Sequence, residues 1–357
     1  MLVMWSHVYE GDGSPYQAQL FTMALVFAGG VDLFFVISGF CLFYPLTRSE
    51  VKPHWRTFFA RRARRLLPPY YAAMGVVVLS PLVAEPLMAR IGIPVSAVGL
   101  PDWRQIWTHA LFLHTLFPDT YFAFNGPLWS LAVEWQFYLA FPLAVWLVYR
   151  GGWRGVALIC LLTLSYRLLI NSDRLAASTW PIDAVHLFPS HWLEFALGML
   201  IAIHLRHSRA GRIGRWREAA DVAGVVWIYI LVSYLLYGPA LRYPYPVKDL
   251  LNSVVWAPIV FLACVDDTIT RRLFSHPVLI WLGVRSYSIY LLHLPIIFGL
   301  GHTVASMHLG EPESLLAMTG LGVPLVLASA AVFFELFERP FLNTPLPVPD
   351  RRESGRR

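Results

Sequence analysis

The 357-residue chain is 57% hydrophobic and 14% charged, with a formal net charge of +6. Soluble domains carry roughly 25% charged residues in short amphipathic patterns, so the long apolar runs here exclude a soluble globular domain. The three cysteines, Cys41, Cys160 and Cys264, each sit inside an apolar run, which offers neither a disulfide framework nor metal-ligand spacing.

In chain order, the apolar segments are 1–8, 20–46, 68–87, 128–149, 153–170, 187–205, 220–236, 251–265, 278–300 and 315–341. About 20 apolar residues cross a bilayer core, and because such runs recur along the whole chain a cleaved signal peptide does not explain them. The segment 1–8 is far too short, and is read as the end of a first helix whose beginning is missing. Residues 88–125 form a long, moderately polar stretch with an apolar patch at 106–116, expected to be an extracytoplasmic loop holding a re-entrant or surface helix. The expected fold is all-α: a polytopic transmembrane bundle of about ten helices over residues 1–342. A Pro- and Arg-rich tail, 343–357, is expected to be disordered and cytoplasmic. The sequence shows no internal repeat and no second soluble domain.

The basic residues give the orientation. If segment 1–8 begins in the cytoplasm, most of the 28 Lys and Arg residues fall on the same side as it. They include Arg48 to Arg65, Arg150, Arg154, Arg206 to Arg217, Arg271, Arg272 and the carboxy-terminal arginines. That bias predicts both termini in the cytoplasm of a multi-pass inner-membrane protein. It also accounts for the positive charge without a nucleic-acid partner.

Ionisable side chains at membrane depth are costly and are functional candidates by default. They are His7, Asp32, Glu134, Arg167, His191, Glu194, Arg285, His293 and Glu335. Arg61, Arg62, Arg64 and Arg65 open the third segment; as a topology signal they need no further role. Yet Arg62 and Arg65 are three apart on one helix face, a pair of guanidinium forks suited to phosphates of a cytosolic ligand. Ser130 and Glu134 are four apart and stack on one face. They read either as a proton-handling pair or as a helix-to-helix hydrogen bond. His7 is the one group of near-neutral reference pKa in the first segment, either a general base or a satisfied structural histidine.

Several stretches, in order, carry a resemblance: Gly30-Val31-Asp32-Leu33-Phe34-Phe35-Val36-Ile37-Ser38-Gly39-Phe40, then Arg61 to Tyr71, then Gly126 to Tyr138 with Trp129-Ser130-Leu131-Ala132-Val133-Glu134 at its centre. Phe195 to Met199, Ser286 to His293 and Glu338-Arg339-Pro340-Phe341 follow. Together they resemble the acyltransferase-3 family of integral-membrane O-acyltransferases over essentially the whole chain. The resemblance implies an acyl-coenzyme A donor, usually acetyl, and an acceptor hydroxyl on a carbohydrate or glycosylated lipid or antibiotic, with membrane lipid around it. It implies His7 as general base, Arg62 and Arg65 (with Arg61 beside them) as holders of the coenzyme A phosphates, and Ser130, Glu134 and Phe137 as the family's Ser–Glu–Phe motif. Glu134 would orient or charge-balance His7, or line the acceptor pocket. No metal is implied. The family pattern places a basic residue eleven positions before the histidine, whereas the chain starts six before His7, so an anion contact and half a helix are expected to be missing. No extracytoplasmic hydrolase-like domain follows the last segment, as in standalone members.

Two other readings compete. About ten helices with buried Glu, Asp and His also suit a proton-coupled transporter or flippase, although the internal repeats common in transporters are not found. A catalytically inactive relative that binds a lipid-linked glycan is the third.

Overall fold

Glycines decide how the bundle closes. A Cβ on Gly39 would land on the backbone of Phe195, and one on Gly198 would land on the backbone of Val36 and Phe40. The two glycines face each other across the most extensive helix pair, formed by α1 (Gly30–Arg48) and α6 (Phe188–His207). Without side chains in between, the two backbones touch, the usual device for packing helices in lipid. The computed structural model describes residues 30–48, 53–90, 101–117, 119–121, 124–170, 187–207, 224, 227, 245–265, 268–307 and 309–342. Segments 1–8 and 220–236 and the tail 343–357, all expected from the sequence, lie largely or wholly outside them.

The described residues contain helices and no strand, as the composition predicts. The others, in order, are α2 (Trp55–Arg90), α3 (Trp103–Ala110), α4 (Trp129–Gly151), α5 (Trp153–Ile170), α7 (Tyr245–Cys264), α8 (Ile269–Phe274), α9 (Pro277–Val284), α10 (Ser286–Ser306) and α11 (Glu311–Ala317). The last run continues through a π-helical turn, Met318–Gly322, into α12 (Val323–Phe333), a second π-helical turn, Phe334–Glu338, and α13 (Arg339–Leu342). By length and composition, five spans among the described residues can cross a membrane, or six if the bent pair α9–α10 counts as one. The chain is thus a multi-pass membrane protein. Leu139, Leu143 and Trp146 on α4, and Leu158, Leu161 and Leu168 on α5, are exposed. Such a surface is unfavourable in water and suited to lipid.

Aromatic rings fill the space between α1, α2, α4 and α6. Phe137 stacks on Phe195 at 3.5 Å between centroids, Phe35 on Phe195 at 5.0 Å, and Phe58 on Phe141 at 5.2 Å. Each such ring contributes more by burial than by geometry.

Two elements differ from the sequence reading. The third apolar segment runs over 68–87, but α2 begins at Trp55, so the arginine cluster lies within the helix rather than before it. Pro68 and Pro69 do not break α2; they leave the Arg64 and Arg65 carbonyls without intrahelical donors. The segment 278–300 is not one straight span: α9 and α10 meet at Arg285 with a bend of 72°. Apolar residues lie on both sides of Arg285, so the averaged pattern hid the bend.

Residues 101–117 pack against the bundle through one face. Asp102 caps α3 in a reciprocal capping box with Gln105. Beyond it the chain dips into the bundle, burying Thr108, His109, Phe112, His114 and Thr115. Tyr70 Oη donates to the His109 carbonyl at 3.0 Å, and Phe112 stacks on Tyr70 and Trp135. The His109 and His114 rings stack face to face, 3.9 Å apart and 2° from parallel. Burial lowers His109 to about 4 and His114 to about 3, so both imidazoles are neutral near pH 7. Parallel rings cannot aim in-plane lone pairs at one ion, so this pair is a packing feature rather than a metal site.

Candidate functional site

The first turns of α4 are placed by the segment just before it. Asn125 Nδ2 donates to the Leu291 carbonyl of α10 at 2.9 Å, and Gly126–Leu128 makes one 3₁₀ turn into Trp129. This fixes Ser130 and Glu134 against α10 and α1. Glu134 is 5% exposed. Its Oε1 accepts from Tyr138 Oη, one turn along α4, and from Ser38 Oγ on α1 at 3.3 Å. Arg62 and Arg65 on α2 lie close enough for their charges to act on this carboxylate. The charge of a buried carboxylate is tolerable only with such partners.

Ser130 has a different surrounding. Its Oγ is 2.6 Å from Tyr290 Oη and 3.2 Å from the Pro127 carbonyl, to which Tyr290 also donates at 2.5 Å. Ser130 and Glu134 share a helix face as expected, yet each is bonded to its own partners and not to the other. The partners of Ser130 among the described residues are a phenol and a carbonyl, and neither is a base.

The three arginines of the expected anion site are not equivalent. Arg61 and Arg65 are exposed, whereas Arg62 is half-buried with its guanidinium 5.8 Å from the Phe58 ring centroid. Its Nε is buried without a hydrogen-bond partner among the described residues. An orphaned guanidinium N–H is costly, and an anionic oxygen is the acceptor it fits best. His7 lies outside the described residues.

A second polar centre, resolved only by the structure, lies where α1, α5 and α6 meet. Arg167 donates through Nη2 to Glu194 Oε1 at 2.7 Å and through Nε to the Ser190 carbonyl at 2.7 Å; the side chains of both ions are 2% exposed or less. Asp32, His191 and Glu194 each bring a ligating atom within 4.8 Å of the others. Arg167 already supplies positive charge to this cluster. The His191 ring lies 5.2 Å from Phe35 and 5.3 Å from Trp129, the residue before Ser130. Asp32, Arg167, His191 and Glu194 were each visible in the sequence as charges at membrane depth. Their meeting was not, because they come from three helices. Ser38, Tyr138 and Tyr290 carried no signal beyond their place in the quoted stretches.

Comparison with known proteins follows the same residues. The family model described as an acyltransferase domain matches residues 1–335. The chain is 25% identical to the peptidoglycan O-acetyltransferase OatA of Listeria monocytogenes, over 87% of this chain and 50% of that protein. It is 28% identical to the acyltransferase MdmB of Streptomyces mycarofaciens, over 92% and 81% respectively. It is 25% identical to the O-acetyltransferase OatA of Staphylococcus aureus, over 75% and 45%. The chain therefore spans about half the length of these two O-acetyltransferases. No solved structure matches it. The match over most of the chain shows that this protein belongs to the acyltransferase-3 family.

Proposed function

We propose that the protein transfers an acyl group, acetyl in the simplest case, from acyl-coenzyme A to a hydroxyl of a carbohydrate or glycosylated acceptor within the membrane. Family membership supports the reaction class, and the relatives named O-acetyltransferases support acetyl as the group. The observation that carries the reading is the buried Glu134 centre, held by Ser38 and Tyr138 and lying within charge range of Arg62 and Arg65. A buried carboxylate within charge range of a pair of cations brings proton handling and anion binding to one place.

In this reading Arg62 and Arg65, with Arg61 beside them, take the coenzyme A phosphates on the cytoplasmic side, the side that the distribution of basic residues favours for both termini. His7 accepts the proton of the acceptor hydroxyl. The acceptor oxygen then bonds to the thioester carbonyl carbon, the carbon–sulfur bond breaks, and the thiolate leaves and is protonated. Glu134 orients or charge-balances the base. Direct transfer fits better than an acyl-enzyme on Ser130, since a serine nucleophile needs an adjacent base and the described partners of Ser130 are a carbonyl and a phenol.

The test is transfer of labelled acetyl from acetyl-coenzyme A to glycans in membranes that carry the protein, with His7→Ala alongside. Label is expected to reach glycan with wild type, and the variant is expected to lose about a hundredfold or more, the scale of a general base. Equal transfer by His7→Ala removes that residue from the mechanism; no transfer by wild type removes the reading.

A further inference from the structure

We propose that Arg285 is a phosphate-binding residue at the same mouth as Arg62 and Arg65; this rests on the acyl-transfer reading above. The 72° bend between α9 and α10 falls at this residue. Its guanidinium is pinned between two rings, 4.5 Å from the Trp281 centroid and 4.9 Å from that of Phe334, with the side chain 18% exposed. Aromatic faces hold the cation in place while leaving its in-plane N–H groups to other acceptors.

Those groups are not fully used. Arg285 Nε is buried without a hydrogen-bond partner among the described residues. The Glu335 carboxylate is 3.6 Å from Nη2, too long for a hydrogen bond, and Glu335 is itself taken by Arg339 one turn on. Glu338 is occupied by Ser288. Arg285 therefore resembles Arg62, whose Nε is also buried and unpartnered.

The two arginines lie at one end of the bundle. Tyr287 Oη donates to the Leu66 carbonyl at 2.9 Å, which fastens the start of α10 to the residue after Arg65. Glu338 lies within charge range of both Arg65 and Arg285. Buried guanidinium N–H groups from α2 and from the α9–α10 junction thus share a mouth whose nearby carboxylates are already engaged. A phosphate oxygen is the acceptor this donor set fits.

Two molecules bring a phosphate there. One is the coenzyme A donor. The other is an anionic phospholipid, because an apolar groove of about 520 Å³, lined by Val76, Leu292, Ile296, Val332, Leu336 and Phe337, runs up to the turn that carries Glu335. Arg285→Ala, Arg285→Lys and Glu335→Gln, each in nanodiscs of phosphatidylcholine alone or with phosphatidylglycerol, separate the sources.

If the phosphate is the donor's, Arg285→Ala raises KM for acetyl-coenzyme A about ten- to hundredfold in both lipids, with kcat changed far less. Arg285→Lys falls between, and Glu335→Gln leaves KM close to wild type, since that carboxylate is already held by Arg339. If the phosphate is the lipid's, KM holds and Arg285→Ala loses the response to phosphatidylglycerol. Unchanged KM together with an unchanged lipid response overturns the proposal. So does a Glu335→Gln variant that reproduces the Arg285→Ala defect, which would make Arg285 a structural ion-pair partner. Should Arg285→Ala fail to fold, the Lys and Gln variants still decide. Wild type that transfers acetyl while the Arg285 variants behave as wild type sinks only this proposal; wild type that transfers none sinks the reading beneath it.

Discussion

Glu134 shows how much one buried residue has to reconcile. A carboxylate in a protein core is stable only when hydrogen bonds and opposite charges replace its water. Tyr138, Ser38 and the two arginines on α2 do so from three helices. Glu134→Gln keeps the size and at least one hydrogen bond while removing the charge that faces Arg62 and Arg65. Acetyl transfer is expected to fall about a hundredfold or more, with a thermal midpoint within a few degrees of wild type. Wild-type turnover by this variant would reduce Glu134 to a packing role. The sequence made Glu134 conspicuous, since it is the one charge in segment 128–149. It did not reveal the partners, because Ser38 lies 96 residues away and only the folded bundle brings it near. The buried Nε atoms of Arg62 and Arg285 were equally illegible. A pattern can place a guanidinium at a helix end, but only packing shows which of its N–H groups lacks an acceptor.

At the scale of elements, periodicity and punctuation were good guides wherever a helix obeys them. Trp153–Ile170 has the expected limits, and α4 and α6 lie within two residues of theirs. The failures share a cause: apolar composition does not register a change of direction. The bend at Arg285 and the π-helical turns at Met318–Gly322 and Phe334–Glu338 sit inside segments that are apolar on average, and an average carries no direction. Close approach of α1 and α6 likewise depends on two glycines whose spacing means nothing until they face each other. Gly198→Ala places a Cβ on the α1 backbone, and backbone cannot move aside as a side-chain end can. The cost is expected to be about 1–3 kcal/mol, read as a lower thermal midpoint and a smaller monodisperse fraction in detergent. Gly283 has open space around its Cβ position, so Gly283→Ala serves as the control and should be near neutral. Equal behaviour of the two variants would contradict the helix contact.

For the molecule as a whole, the class was written in composition, and the arginines carry an expectation of the direction across the membrane. Five or six spans among the described residues agree with a multi-pass bundle. The expected first helix with His7 lies outside the described residues. What the bundle adds is an arrangement: a buried carboxylate centre on α4, cations from α2 at its mouth, and a second polar cluster of Asp32, Arg167, His191 and Glu194 elsewhere between the helices. That arrangement suits a donor reaching the site from the side that carries Arg61, Arg62 and Arg65. Sidedness tests it most directly. Acetyl-coenzyme A does not cross membranes unaided, so labelled donor is supplied to sealed inside-out and right-side-out vesicles bearing the protein. The account predicts label on membrane glycan only with inside-out vesicles, where the cytoplasmic face meets the donor, and a rise in the donor KM when Arg62 and Arg65 become Lys. Transfer from donor supplied to right-side-out vesicles alone, or none in either, would contradict it.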